Sequence, residues 1–289
     1  MSDESGLERI AGIRVAARGE ANLDGMLLRG VSLGGIRTCL ELPALDLLVD
    51  LGSVDHRQVY ASTVLITHPH LDHLGGLANH MALRSLMGQK PGRYVIPPAI
   101  EADVQSLLAA WRALDRAELD GELVPLAPGT PLALSRTMEV EPFATRHRVP
   151  SQGYLLRSVH SKLDPRFQGL QAPELSALRE AGVPLSHIEK HPEIAFSGDT
   201  TIEGLERHGE VLRARRLVME ATFLDDRVNP QRARQMGHVH LDDIAERADA
   251  FACEHLVLTH FSLRHDLAQA ASLVSRRLPK HLRERVLLL

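Results

Sequence analysis

A mixed α/β fold is predicted by three observations. Short runs of branched apolar residues, each of strand length and bounded by turn residues, recur along the chain. Segments with apolar residues at helical spacing lie between them. Residues of metal-binding type stand at four expected strand ends, as a site on the rim of a sheet requires. A chain of 289 residues, 44% hydrophobic and 24% charged, can bury a full core. With no low-complexity tract and no Pro- or Gly-rich linker, residues 1–289 read as a single domain.

Taken in order, the strand runs are Leu47-Leu48-Val49, Val64-Leu65-Ile66, Glu193-Ile194-Ala195-Phe196, Leu217-Val218-Met219 and Leu256-Val257-Leu258. Between Ile100 and Leu114 the residues Ile100, Val104, Leu107, Leu108, Trp111 and Leu114 follow helical spacing, which predicts an amphipathic helix. Asp242-Asp243 opens a second helix through Ile244, Ala245 and Ala248, and Leu267 to Leu278 makes a third. A short helix is expected from Pro173 to Gly182, with Leu175 and Leu178 on its buried face. At the strand ends, His68 follows Thr67, His147 follows Phe143-Ala144-Thr145-Arg146, Asp199 follows Ser197-Gly198, and His260 follows Thr259. Asp50, after Leu48-Val49, is expected to be a structural carboxylate bonding near the His68 loop.

The densest stretch is Thr67-His68-Pro69-His70-Leu71-Asp72-His73, three imidazoles and a carboxylate directly after an apolar run. Neighbours at i and i+2 do not share a helix face, so these side chains must converge from a turn. A loop through Pro69 and a helix opening near Leu74 would aim His68 and His70 at one metal, Asp72 and His73 at a second. A chain with sixteen His could carry a His-rich loop by composition alone. The full His-x-His-x-Asp-His pattern after a strand is far more specific than a lone His-x-His.

Composition bounds the remaining classes. Net charge is −4, so no global basic field advertises nucleic acid, although a local patch is compatible with it. Cys39 and Cys253 are expected to be reduced packing residues. The acidic start Met1-Ser2-Asp3-Glu4 precedes no apolar stretch long enough for a signal peptide or membrane span, which predicts a cytoplasmic protein with no membrane partner.

With His68, His70, Asp72, His73, His147, Asp199 and His260 in this order, the chain resembles the metallo-β-lactamase superfamily. Further segments are similar to ribonuclease Z, the tRNA 3′-processing endonuclease, in its short plant-type form: Pro150-Ser151-Gln152-Gly153-Tyr154, Phe196 to Thr200, Met219 to Asp226, Gly237-His238-Val239-His240, and Leu258 to Ser262. The similarity runs from about Gly30 to Arg264 and takes in Lys162-Leu163, Phe167 to Leu170 and Ala181-Gly182-Val183. It implies an αββα four-layer sandwich holding two zinc ions, with manganese or another divalent ion as substitute. His68, His70 and His147 would hold one ion, Asp72, His73 and His260 the other, and Asp199 would bridge them. Asp72 would orient or deprotonate the attacking water, and a Glu220–His238 pair would protonate the departing 3′-oxygen. His240 would lend support to the site.

The resemblance also implies a homodimer in which an inserted arm, residues 155–192, presents precursor tRNA to the partner's metal site. Lys162, Arg166 and Lys190 are the candidate phosphate contacts on the arm, and Ser262 and Arg264 those near the metals. The arm is shorter than in many bacterial relatives and lacks their Gly-rich tip, and His265 stands where relatives usually carry Tyr. Two other functions fit the same residues: a hydrolase of a small phosphodiester, thioester or lactone, and a non-catalytic RNA-binding scaffold.

Overall fold

The computed structural model describes residues 7–289; Met1, Ser2, Asp3 and Glu4, from which the absence of a leader was expected, lie outside the described residues. Its strands are β1 (Glu8–Ile10), β2 (Ile13–Val15), β3 (Glu20–Leu23), β4 (Met26–Leu33), β5 (Arg37–Leu42), β6 (Leu47–Val49), β7 (Thr63–Leu65) and β8 (Gly92–Ile96). They continue with β9 (Gly121–Pro125), β10 (Leu132–Ala133), β11 (Met138–Ala144), β12 (Gln152–Leu163), β13 (Ser186–Phe196), β14 (Arg216–Glu220), β15 (His255–Thr259) and β16 (Val286–Leu288). Among the described residues these form a nine-stranded sheet, ordered β1-β2-β16-β15-β14-β13-β12-β11-β10, and a seven-stranded sheet running from β3 to β9 in chain order.

Alternation along the strands explains the layering. In β15, Val257 faces a core between the two sheets, where it meets residues such as Leu65 and Val49. Leu256 and Leu258 point the other way, onto the helices that carry Leu241, Ile244 and Val274. In the seven-stranded sheet Leu65 joins the central core while Val64 and Ile66 pack under the helices bearing Leu77, Met81, Val104 and Leu108. Strands buried on both faces read as continuous apolar runs, which is why those runs stood out in the sequence. The result is helix, sheet, sheet, helix, the expected four-layer sandwich.

Several expectations need correction. The helix Glu101–Asp115 forms, but only its Val104 and Leu108 are buried, while Leu107, Trp111 and Leu114 are exposed. A helix covering one layer needs only a narrow apolar stripe, so the other half of its apolar residues meets solvent. In the segment expected to be an arm, β12 and β13 form an antiparallel ladder that continues past a bulge at Leu156/Arg157, and the helix Ala172–Glu180 lies at its far end. Leu175 and Leu178 are half-buried rather than buried, because no core lies beneath them. Arg157 anchors the base of this ladder through Glu210 at 2.7 Å and Glu141 at 3.0 Å. Cys39 and Cys253 are free and buried, as packing residues should be. No helix among the described residues is long and apolar enough to cross a membrane.

Candidate metal centre

The two sheets bring their parallel strands together at one rim. β6 ends into Asp50, β7 into His68, β13 into Asp199, β14 at Glu220 and β15 into His260. Asp50 and His260 both adopt left-handed backbone conformations, φ 60° and φ 61°. Neither is glycine, so each carries local strain that its surroundings must hold in place. Asp50 ties three elements together: it accepts from Thr67 N at 2.7 Å and Thr67 Oγ1 at 2.9 Å, and from His73 Nδ1 at 2.7 Å.

The helix after Pro69 opens at Leu71, three residues earlier than expected, as the single turn Leu71–Leu74. His70, the residue before it, is extended. Asp72 and His73 are therefore helical, and they reach the site because this turn is pinned from both sides. Leu51 N donates to His73 O at 2.6 Å, and Gly35 N donates to Asp72 Oδ2 at 2.7 Å. Gly52 sits so close to the Asp72 carbonyl that a Cβ there would lie 1.9 Å from its oxygen, so no other residue fits.

Two groups of ligand atoms result. His70 Nδ1 lies 3.1 Å from His68 Nε2 and 3.2 Å from His147 Nε2, with Asp199 Oδ2 at 3.6 Å and 4.0 Å from the latter two. On the other side His73 Nε2 and His260 Nε2 are 3.2 Å apart, with Asp72 Oδ2 at 3.6 and 3.5 Å and Asp199 Oδ1 at the same two distances. Asp199 thus turns one oxygen to each group. A tetrahedral ion with bonds of about 2.0–2.1 Å has donor-to-donor edges of roughly 3.3 Å, close to these separations.

Hydrogen bonds on the far side of each ring fix the tautomers. His147 Nδ1 donates to Gly237 O at 2.8 Å, and His73 Nδ1 to Asp50. The Thr67 hydroxyl donates to Asp50, so it accepts from His68 Nδ1 at 3.0 Å. The Thr222 hydroxyl donates to Glu220 and accepts from His260 Nδ1 at 3.0 Å. With Nδ1 bonded outward in all four, each Nε2 faces inward; at His73 burial is outweighed by Asp199 and Asp50, which push it up to about 9, so a cation binding there displaces a proton. Burial pushes His68, His70 and His147 below the usual imidazole range, keeping them in the neutral form that binds a cation.

Charge gives the strongest test of fit. Asp50, Asp199 and Glu220 are buried, Asp72 nearly so, and all of their ion-pair partners among the described residues are imidazoles. No Lys or Arg among the described residues neutralises them. Imidazolium at His238 and His73 offsets only part of the charge on these four carboxylates; the remainder is costly unless a metal supplies the charge, and this donor set suits divalent ions.

His238 stands beside the two groups. Its Nδ1 donates to Glu220 at 3.0 and 3.1 Å, its ring stacks 5.7 Å from His260, and it is partly open to solvent. Burial lowers its affinity for a proton, but Glu220 and then Asp199 outweigh this and lift it to about 9. Glu220 is held by Thr200 N at 2.8 Å as well as by Thr222. Thr222, Thr67 and the Gly237 carbonyl were missed in the sequence. Only the position of Thr222, two residues after Glu220 and thus on the same side of an extended strand, could have flagged it.

The other candidates lie elsewhere. His240 is buried but touches no ligand; it caps the helix Leu241–Glu246 and bonds Asp225 O at 3.1 Å. Ser262 bonds Thr222 O through its backbone, and Arg264 lies exposed 5.9 Å over the Phe223 ring, which borders His238. His265 is tucked 3.6 Å from Asp225. Lys162 and Lys190 are on the ladder and Arg166 is on the turn Pro165–Phe167 beyond its end, and each already has a carboxylate: Glu189 at 2.6 Å for Lys162, Asp164 at 2.7 Å for Arg166 and Glu139 at 2.8 Å for Lys190.

Comparison with known proteins agrees with this geometry. Residues 52–261 match the family model described as a beta-lactamase superfamily domain. The chain is 37% identical over 266 residues to tRNase Z TRZ1 of Arabidopsis thaliana, covering 91% of this chain and 95% of the relative. It is 38% identical over 249 residues to the chloroplastic tRNase Z TRZ2 of the same plant, covering 86% and 70%. Among solved structures, the short form of human tRNase Z superposes with a TM-score of 0.57 at 20% identity, over 94% of this chain and 93% of that one. The Bacillus subtilis metallo-beta-lactamase fold protein YhfI gives 0.60 at 15% identity, over 90% and 94%.

Proposed function

This chain belongs to the tRNase Z family of the beta-lactamase superfamily, and on that premise we propose that it is a metal-dependent endoribonuclease that processes the 3′ end of precursor tRNA. The cut removes the trailer, leaving a 3′-hydroxyl on the tRNA and a 5′-phosphate on the trailer. One observation carries this reading: two ligand groups share Asp199, and His238, paired with Glu220, stands beside them.

His68, His70 and His147 would hold one zinc ion and Asp72, His73 and His260 the second, with Asp199 offering an oxygen to each group and manganese as a working substitute. When bound, the ions supply Lewis acidity that lowers the pKa of the attacking water and offsets charge on the phosphate. Burial alone would raise Asp72, but His260 and His73 hold its carboxyl well below the usual range. Asp72 therefore remains ionised and orients the water more than it stores a proton. His238, its Nδ1 committed to Glu220, presents Nε2 to the departing 3′-oxygen and donates the proton. Glu220 is a positioning residue that keeps this imidazolium charged.

Ser262 and Arg264 meet the RNA near the cut. Lys162, Arg166 and Lys190, exposed cations, turn from their carboxylate partners to phosphates; for Lys162 and Arg166 the exchange costs little, because ion pairs open to solvent contribute about 0–1 kcal/mol, whereas Lys190 leaves the buried Glu139. Two chains pair in the cytoplasm, so that one subunit's arm delivers tRNA to the partner's metal centre. Incubating the zinc-loaded protein with end-labelled precursor tRNA and mapping the products tests the reading. A single cut at the 3′ end of the acceptor stem is expected; intact precursor with metal-replete protein overturns it.

A further inference from the structure

Two cavities open on either side of the Arg29–Glu41 ion pair. One, of about 260 Å³, is lined by Arg18, Arg37 and Arg57; the other, of about 330 Å³, by Arg57, His56 and Tyr60. Arg29, Glu41 and Arg57 line both, which makes them two halves of one groove. Acidic residues also border it, but their carboxylates are engaged. Glu41 is taken up by Arg29 in a two-point pair of 2.7 and 2.8 Å. Asp55 accepts the backbone N–H groups of Arg57 and Gln58, and Asp46, on the far half, accepts the backbone N–H and the hydroxyl of Ser62. Glu20 meets Arg57 only at 3.4 Å, in an exposed pair of little strength. Arg18 and Arg37 have no acceptor among the described residues.

The far half ends on Tyr60, a residue 51% exposed beside Arg57 and His56. Guanidinium groups with open donors followed by an exposed aromatic face are what an unpaired nucleic-acid strand requires: phosphates take the arginines, and a base stacks on the ring. A duplex offers no free base face and is recognised by other means. The near half adjoins the metal centre through the turn between β4 and β5. Gly35 N bonds Asp72 Oδ2 at 2.7 Å, and Arg37 follows two residues later. Two extended residues span at most about 7 Å.

We propose that this groove binds the single-stranded RNA flanking the cut, with phosphates on Arg18 and Arg37 and a base on Tyr60. The assignment rests on the RNA-cutting function above and names the part of the substrate that this face receives. In precursor tRNA the unpaired stretch is the 3′ trailer, so the groove is its path away from the metals.

Two measurements test it on the zinc-loaded, full-length protein. Binding of fluorescent octauridine is followed by anisotropy as salt is raised. Arg18→Ala with Arg37→Ala should weaken it and flatten the slope of log K against log salt by about 1.4, roughly 0.7 for each phosphate that no longer meets an arginine. Tyr60→Ala should weaken it about tenfold, in line with the loss of one stacked base, and Tyr60→Trp should restore it. In cleavage assays both changes should lower kcat/KM for a precursor with a long trailer and spare one with a single-nucleotide trailer. Unchanged octauridine affinity and slope in all variants overturns the groove, as does equal loss on both trailer lengths. Groove-dependent binding of octauridine by a protein that cuts no precursor tRNA supports the groove while overturning the processing function, so the two failures are distinct.

Discussion

Replacing Glu220 with Gln isolates what one buried carboxylate does for His238. The substitution keeps an oxygen to accept from Thr200 N, which now bonds Glu220 Oε1 at 2.8 Å, and it keeps the shape of the side chain. It removes the charge. Against the opposing effect of burial, Glu220 is the main force raising His238 from 6.5 to about 9, with help from Asp199. The protonated imidazole is the active form, so activity should fall as pH rises through this value. At pH 8 a group titrating at about 9 is roughly nine-tenths protonated, whereas one at 6.5 is about 3% protonated, a difference of roughly thirtyfold. At pH 6 the two differ by less than about a third. Bound divalent ions pull both values down, so the quantity to read is the gap between wild type and variant. A stronger acid also transfers its proton more readily, which raises the variant's low-pH rate and leaves the position of the limb as the clean signal. Single-turnover cleavage of precursor tRNA from pH 5.5 to 9.5 supplies the profile. The descending limb of Glu220→Gln should lie well below that of wild type. A loss of rate that is uniform across pH, with the limb unmoved, would refute the reasoning.

Three further outcomes follow from the same geometry. Because Asp199 turns one oxygen to each ligand group, Asp199→Ala should lower metal content from about two ions per chain toward zero, measured by elemental analysis after metal-replete purification. Asp50→Asn replaces no metal ligand but weakens the acceptor both for His73 Nδ1 and for the Thr67 hydroxyl that orients His68, so zinc competition should show affinity reduced by roughly 10–100-fold, with both sites affected. Replacing Lys162, Arg166 and Lys190 together with Ala should weaken precursor tRNA binding and flatten its salt dependence. Hydrolysis of a small activated phosphodiester should stay at the parental rate, and equal loss on both substrates would point to damage away from the arm.

Much of the centre was legible along the chain because its ligands stand at strand ends, where a two-residue side-chain period gives way to a loop and polar residues interrupt an apolar run. The spacing of His68, His70, Asp72 and His73 could be read without knowing any contact. What could not be read was everything that depends on residues far apart in sequence meeting in space. Thr222 looks like any strand-end threonine until Glu220, His238 and His260 close around it, and Asp50 shows its grip on His73 only once β6 and β7 lie side by side. The groove of Arg18, Arg37 and Tyr60 is invisible in a chain of net charge −4, because composition sums over charges that folding sorts into paired and unpaired. Exposure was likewise decided in three dimensions: periodicity says which residues share a helix face, but only the neighbouring layer determines how much of that face is covered, as Leu107, Trp111 and Leu114 illustrate. The sequence by itself determined the ligand types, their order and the layered α/β class, since these follow from local chemistry and periodicity. The tertiary structure alone decided protonation, tautomer and partner, since each depends on the distance between groups that the chain brings together only when it folds.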